Sequence, residues 1–298
     1  MFDAVASNKA KSVLLILLVV AFLVAMGYVF GRLTALGPYG VPLALIIASI
    51  SIIGSYYYSD QIVLTMSHAR PVEHADNPHL YNTVEGLAIA AQVPMPHIYV
   101  IDDPAPNAFA TGRNPQHAAL AVTTGLLEKL DNQELEGVIG HEMSHIKDYD
   151  VLFMMLVAVL VGTVALLADW LLRYMWWGGS TRRRSDRDSS GGGAGWIALI
   201  GLVLAILAPL AATLIQLAVS RRREYLADAE GAVLTRYPDG LADALEKIAA
   251  DPEPLHSANK ATAHLFIYNP LVEHGGWLNS LFSTHPPMEE RIRRLRAM

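Results

Sequence analysis

The chain has no cysteine. Disulfides are therefore excluded, and any metal site must be built from histidine and carboxylate ligands. The lack of cysteine also fits an active domain on the cytosolic side. There is no basic excess either: 22 Lys and Arg stand against 28 Asp and Glu, giving a net charge of −6. That balance excludes a nucleic-acid partner, which wants a basic surface. Charge of both signs is sparse, at 17% of 298 residues. No internal repeat is visible.

What the chain has instead is apolar length. It is 53% hydrophobic, with a mean hydropathy of +0.32. This is too apolar for an ordinary soluble domain and too charged for a pure membrane bundle, so a mixed protein is expected. Residues 13–30 carry no charge and follow Lys9 and Lys11. They can span a bilayer at the short end of the usual range. A signal peptide would end in a small-residue cleavage site; here a Gly37-Pro38 turn leads into a second uncharged run at 41–58. That run closes on Tyr56-Tyr57-Tyr58, residues suited to a membrane–water interface. A third run covers 151–168 and a fourth 196–219, with Pro209 as a kink. Asp169 lies among Trp170, Arg173, Trp176 and Trp177, which reads as an interfacial belt rather than a proton path. The link at 178–195 is rich in Gly, Ser and Arg and reads as disordered. Arg221, Arg222 and Arg223 close the fourth run and read as snorkelling into headgroups.

Between the second and third runs the composition turns soluble. Leu80, Val84, Leu87 and Ala91 recur at helical spacing over 79–92. Short strands are expected at 97–101, 107–111 and 118–123. The strand–turn–strand unit at 107–123 reads either as sheet core or as an edge for an extended peptide. Asp131 and Glu134 form a capping box that opens a helix. Helices are also expected at 224–228, at 241–250 and after Pro287.

The helix after Asp131 carries Gly140-His141-Glu142-Met143-Ser144-His145. Its H-E-x-x-H spacing puts His141 and His145 one turn apart on one face, as two ligands of one metal require. Glu142 leans toward the same side, where it can take a proton from water. Catalytic zinc wants a third protein ligand and an open fourth position. Glu224 is the best candidate, on a later helix, with Asp228 one turn on and placed to hold a histidine by its other nitrogen. Asp148, Asp150 and Glu230 are weaker, the first two because they are tied to the histidine helix.

These motifs resemble the HtpX membrane metallopeptidases, relatives of the CaaX prenyl-proteases. The resemblance rests on the apolar hairpin, Asn107-Ala108-Phe109-Ala110-Thr111-Gly112, the H-E-x-x-H run, the two later apolar runs, 224–228 and Ser283-Thr284-His285-Pro286-Pro287. It implies an α-helical membrane protein with a zincin-like α+β metallopeptidase domain, mostly helical, with a small β-sheet near the active site. It implies one Zn2+ per chain on His141, His145 and Glu224, with Glu142 as general base. Asn107, Ala108, Phe109 and Ala110 become the substrate-binding stretch. His285 either stabilises the oxyanion or merely caps the last helix. The resemblance also implies endopeptidase action on damaged or misfolded membrane proteins, from a bacterial inner membrane with the catalytic part in the cytoplasm. The expected units are a transmembrane hairpin at 1–58, peptidase halves at 59–150 and 221–298, and a second hairpin at 151–220.

Two other classes compete with this reading. A membrane scaffold with a structural metal would need a fourth protein ligand and no Glu142. A transporter would need polar groups within its spans, and only Gln216 and Asp169 are available, both near span ends.

The topology follows from the ligands. His141 and Glu224 must meet, so the chain between them leaves and returns on one side of the membrane. Lys9, Lys11 and Arg221 to Arg223 put that side in the cytosol, although Arg182, Arg183, Arg184 and Arg187 in the outer link oppose the positive-inside preference. In this cysteine-free chain, Ser189→Cys should react with an impermeant thiol reagent in intact cells and Ser257→Cys should not. A cytosolic Ser189 would reduce the spans to two.

Overall fold

The computed structural model describes residues 37–157, 221–258, 262–268 and 286–298, with scattered positions between 6 and 28. A 3-10 turn at Gly37–Tyr39 leads into helix α1 (Gly40–Met66). Its first part exposes Leu43, Leu45, Ile46, Ile47, Ile50 and Ile53, followed by Tyr56, Tyr57 and Tyr58. Its last turns bury Val63 and Leu64 against the sheet.

The sheet has four strands: β1 (Arg70–Pro71), β2 (His97–Ile101), β3 (Ala108–Gly112) and β4 (Ala118–Thr123), in the order β1-β2-β4-β3. β2 and β4 run parallel at the centre, with β1 and β3 antiparallel on the two edges. Side chains alternate across the pleat, and each set finds a different core. Ala108, Ala110, Leu120 and Val122 pack with Leu80, Val84, Val138 and Ile139. Phe109, Ala119 and Ala121 face Val63, Leu64 and Met154, and Phe109 meets Phe266 edge to face at 4.9 Å. β3 and β4 are buried throughout, which accounts for their unbroken apolar composition.

Helix α2 (Pro78–Ala91) begins on proline, with the Asn77 side chain accepting from the Leu80 N–H at 3.0 Å. It ends on Gln92 in the left-handed region. A short α3 (Thr124–Lys129) leads to α4 (Asn132–Lys147), the central helix. At its start Asp131 accepts from the Gln133 and Glu134 N–H groups, while Glu134 accepts from the Asp131 N–H at 2.7 Å. Helices α5 (Arg221–Thr235), α6 (Pro238–Ala250) and α7 (Met288–Leu295) complete the described elements.

The expected strands and helices are found within a residue or three of their sequence positions, except that the helix expected at 224–228 runs over Arg221–Thr235. β1 was not anticipated: two residues ending on proline give no periodic pattern. The second apolar run lies in α1. Most or all of the other three runs, together with the 178–195 link, Asp169 and His285, fall outside the described residues. Among the described residues no helix is long and apolar enough to cross a membrane.

α4 and α5 touch backbone to backbone at Gly140 and Gly231. A Cβ on Gly231 would lie 2.9 Å from the His141 nitrogen. Gly231→Ala must therefore push the helices apart and is expected to cost about 1–3 kcal/mol of stability. Gly86 on α2 has open space at the same position, so Gly86→Ala should be neutral or stabilising by about 0.5–1 kcal/mol. Thermal unfolding midpoints of the two variants against wild type check both signs.

Candidate metal centre

α4 is buried along nearly its whole length, from Leu135 to Ile146, and its polar residues there face one another's partners rather than water. The His141 and His145 Nε2 atoms lie 3.2 Å apart, with their rings nearly perpendicular at 89°. Glu224 comes in from α5. Its Oε2 is 3.8 Å from His141 Nε2 and its Oε1 3.7 Å from His145 Nε2. These three side chains form the one group of potential metal ligands found among the described residues. A tetrahedral zinc with bonds of ~2.0–2.1 Å spaces its ligand atoms about 3.3 Å apart. The observed separations fit such an ion with small adjustments of the Glu224 carboxylate.

Each histidine is held by its other nitrogen. Asp228 Oδ1 is 3.0 Å from His141 Nδ1, and Asp150 Oδ2 is 3.1 Å from His145 Nδ1. Both contacts leave the Nε2 lone pairs turned inward, the tautomer a metal needs. Asp228 stands where its spacing from Glu224 suggested. Asp150, tied to the histidine helix, stays out of the ligand group as expected, but it holds His145 from behind, a role the sequence did not suggest. α4 stops at Lys147, and Tyr149 takes a left-handed φ of 61°, which turns Asp150 toward His145. A tyrosine in that region leaves no sequence signal, as Gly or Asn would have.

Two arginines also depart from expectation. Arg291, a charge on the last helix that would ordinarily face water, is fully buried. Its Nε and Nη2 fork onto the Asp228 carboxylate at 2.9 and 2.6 Å, and Nη1 donates to the Ile267 carbonyl. The signal was present: Arg291 sits at helical spacing with Met288, Ile292 and Leu295 and so occupies a core position of that stripe. Arg223 was read as snorkelling into headgroups. It is 8% exposed and lies 3.5 Å from Asp150.

Glu142 is buried beside the ligands. Burial pushes its carboxyl up to about 7, helped by Glu224 and opposed by His145 and a hydrogen bond from the Ala110 backbone. Burial alone would lower His145, but the Asp150 hydrogen bond and the Glu224 charge outweigh it and push the imidazole up to about 9. Burial, with the Arg291 charge, pushes His141 down to about 4 against the pull of Asp228. Burial works to raise Asp228, and Arg291 overcomes it and holds the carboxyl at about 2. The carboxylates thus make a field that favours a cation at the histidine pair.

β3 supplies the other wall. The Ala108 carbonyl accepts from the Ile267 N–H at 3.0 Å, and the Asn107 side chain donates to the Tyr268 carbonyl at 2.9 Å. Asn107 and Ala108 therefore lie under residues 267–268, while Ala110 faces Glu142. Phe109 points to the opposite side of the sheet, into the Phe266 cluster. The histidines outside the motif that fall among the described residues join no metal-ligand group.

Arg291→Gln keeps much of the side-chain volume and removes the charge. It should free Asp228 to protonate and move, and weaken metal retention by about 10–100-fold, the range for groups that orient a ligand histidine. Chelator competition on the purified chain checks this.

Comparison with known proteins agrees with the geometry. The family model for peptidase family M48 matches residues 74–298. A "Protease HtpX homolog" of Streptococcus pneumoniae is 47% identical over 302 residues, covering all of both chains. One of Dictyoglomus turgidum is 46% identical over 297 residues, covering all of this chain and 94% of that relative. The crystal structure of S. mikatae Ste24p shares the fold at a TM-score of 0.52 and 18% identity, covering 99% of this chain and 67% of that one. With its ligands, its buried carboxylates and these relatives in agreement, the chain is a metallopeptidase that belongs to family M48 and, within it, to the HtpX-type proteases.

Proposed function

We propose that this protein is a membrane-embedded zinc endopeptidase that cleaves misfolded or damaged membrane proteins. The observation that carries the reading is the convergence of His141, His145 and Glu224 around a point that Glu142 also borders. Three ligands and a spare carboxylate suit an open catalytic zinc better than a closed structural one. One Zn2+ per chain is the expected cofactor. Bound there, zinc supplies the Lewis acidity that makes water acidic near neutrality and polarises a carbonyl.

The protein's own groups do the rest. An extended peptide laid along the outer edge of β3 from Ala110 onward brings its backbone against Glu142. Asn107 and Ala108 support that edge through residues 267–268, and Phe109 anchors it from beneath. Glu142, poised near neutrality, accepts the proton of the attacking water and hands it to the leaving amine. His285 is the candidate for a second stabiliser of the oxyanion.

A membrane location is supported by the aliphatic side chains exposed along α1 and the tyrosines that follow them. The uncharged runs at 13–30, 151–168 and 196–219 add to it. In this reading the protein sits in a bacterial inner membrane with the catalytic part in the cytoplasm. Lipid and unfolded or membrane-protein chains are its partners. His145 lies a turn or two before the third run and Glu224 about a turn after the fourth, so the metal lies within roughly 10–15 Å of the membrane surface.

Glu142→Ala should keep zinc at one per chain and lose hydrolysis of an unfolded protein substrate by about 10²–10⁴-fold. Cleavage at near wild-type rate would remove Glu142 as the base. Glu224→Ala should lose zinc on dialysis; full retention, measured by elemental analysis, would remove Glu224 from the site.

A further inference from the structure

The two histidines are steadied from different parts of the chain. His141 is held by Asp228 and Arg291, both from beyond residue 220. His145 is held by Asp150, just past the end of its own helix. Asp150 uses both oxygens. Oδ2 faces the His145 Nδ1 at 3.1 Å, and Oδ1 lies 3.5 Å from the Nε of Arg223. Arg223 is the residue before Glu224 on α5. Its guanidinium is buried over the Phe153 ring, 5.1 Å from the centroid. Its Nη1 and Nη2 find no hydrogen-bond partner among the described residues.

One carboxylate thus joins two things: a metal-ligand histidine on α4 and the end of α5 that carries the third ligand. Asp150 and Arg223 stand at the two ends of a segment of some 70 residues. The ion pair clips its two ends together. Resting on the zinc site proposed above, we propose that Asp150 and Arg223 are a positioning pair that fixes His145 and Glu224 relative to one another and so sets the affinity for zinc.

The pair acts in two ways. Asp150 accepts from Nδ1–H, which leaves Nε2 unprotonated, fixes the ring plane and makes the imidazole a stronger donor. Arg223 anchors that carboxylate in place. Each needs the other, because a buried charge that loses its partner is left uncompensated. Arg223 therefore works through Asp150, and loss of the arginine should add little once the carboxylate charge is gone.

The test uses the full chain in detergent. Zinc affinity is read by competition with a chromophoric chelator, and the unfolding midpoint of the metal-free chain is read beside it. Asp150→Asn keeps size and an acceptor while removing the charge. It should weaken zinc by about 10–100-fold. Arg223→Gln should weaken it in the same direction by about 10-fold, and Arg223→Lys by less, since the charge remains. The Asp150→Asn, Arg223→Gln double variant should bind no more weakly than Asp150→Asn alone. Asp251→Asn removes a carboxylate from the Lys129 ion pair elsewhere and should leave zinc affinity unchanged. Single variants that bind zinc within about threefold of wild type, whatever their midpoints, would overturn the pair as positioning residues. So would a double variant that loses the product of the two single effects. Failure of the zinc site itself would look different: wild type would not hold one zinc, or Glu224→Ala would hold it undiminished.

Discussion

Carboxylates cannot be taken out of water singly, and that constraint shapes everything around α4. Glu142, Glu224, Asp228 and Asp150 are all nearly inaccessible to solvent. Left alone, such a group would protonate or drag water in with it. Here imidazoles and two guanidiniums share the burden, and the remaining imbalance is an appetite for a cation. His145 registers it: its basicity is raised by the same anions that favour a metal. Asp228 shows the opposite sign, held ionised by Arg291 despite its burial.

Such a cluster survives only if the helices that carry it meet closely. The glycine contact at 140 and 231 brings α5 down onto the histidine helix, and Gly137 does the same for α6, where a Cβ would lie 2.6 Å from the Leu241 nitrogen. The sheet closes the other side. Its outer strand meets residues 267–268 at Asn107 and Ala108, and its Ala110 backbone lies against the carboxylate of Glu142. Core packing and chemistry are therefore served by the same few backbone contacts.

Much of this was legible in the sequence, for stated reasons. His141, His145 and Glu142 are fixed by helical period, and the capping box at Asp131 and Glu134 marks where that helix starts. Strands β2, β3 and β4 announced themselves as apolar runs between turn residues. The residues that hold the ligands were harder. Asp228 could be read because it lies one turn from Glu224. Asp150 could not, because its reach depends on one backbone angle at Tyr149. Arg291 and Arg223 carry a charge that composition assigns to the surface. The apolar company of Arg291 on its own helix carried a signal of burial that the charge outweighed in the reading.

The wide spacing of the site's parts in the chain also orders its making. The ligand helix leaves the ribosome long before Glu224, and Arg291, which balances Asp228, emerges later still. Until then Asp228 has no buried cation and His141 no fixed partner. A half-made chain therefore carries the H-E-x-x-H helix without a settled metal site. The cation that completes this charge balance stands 63 residues beyond the carboxylate it balances.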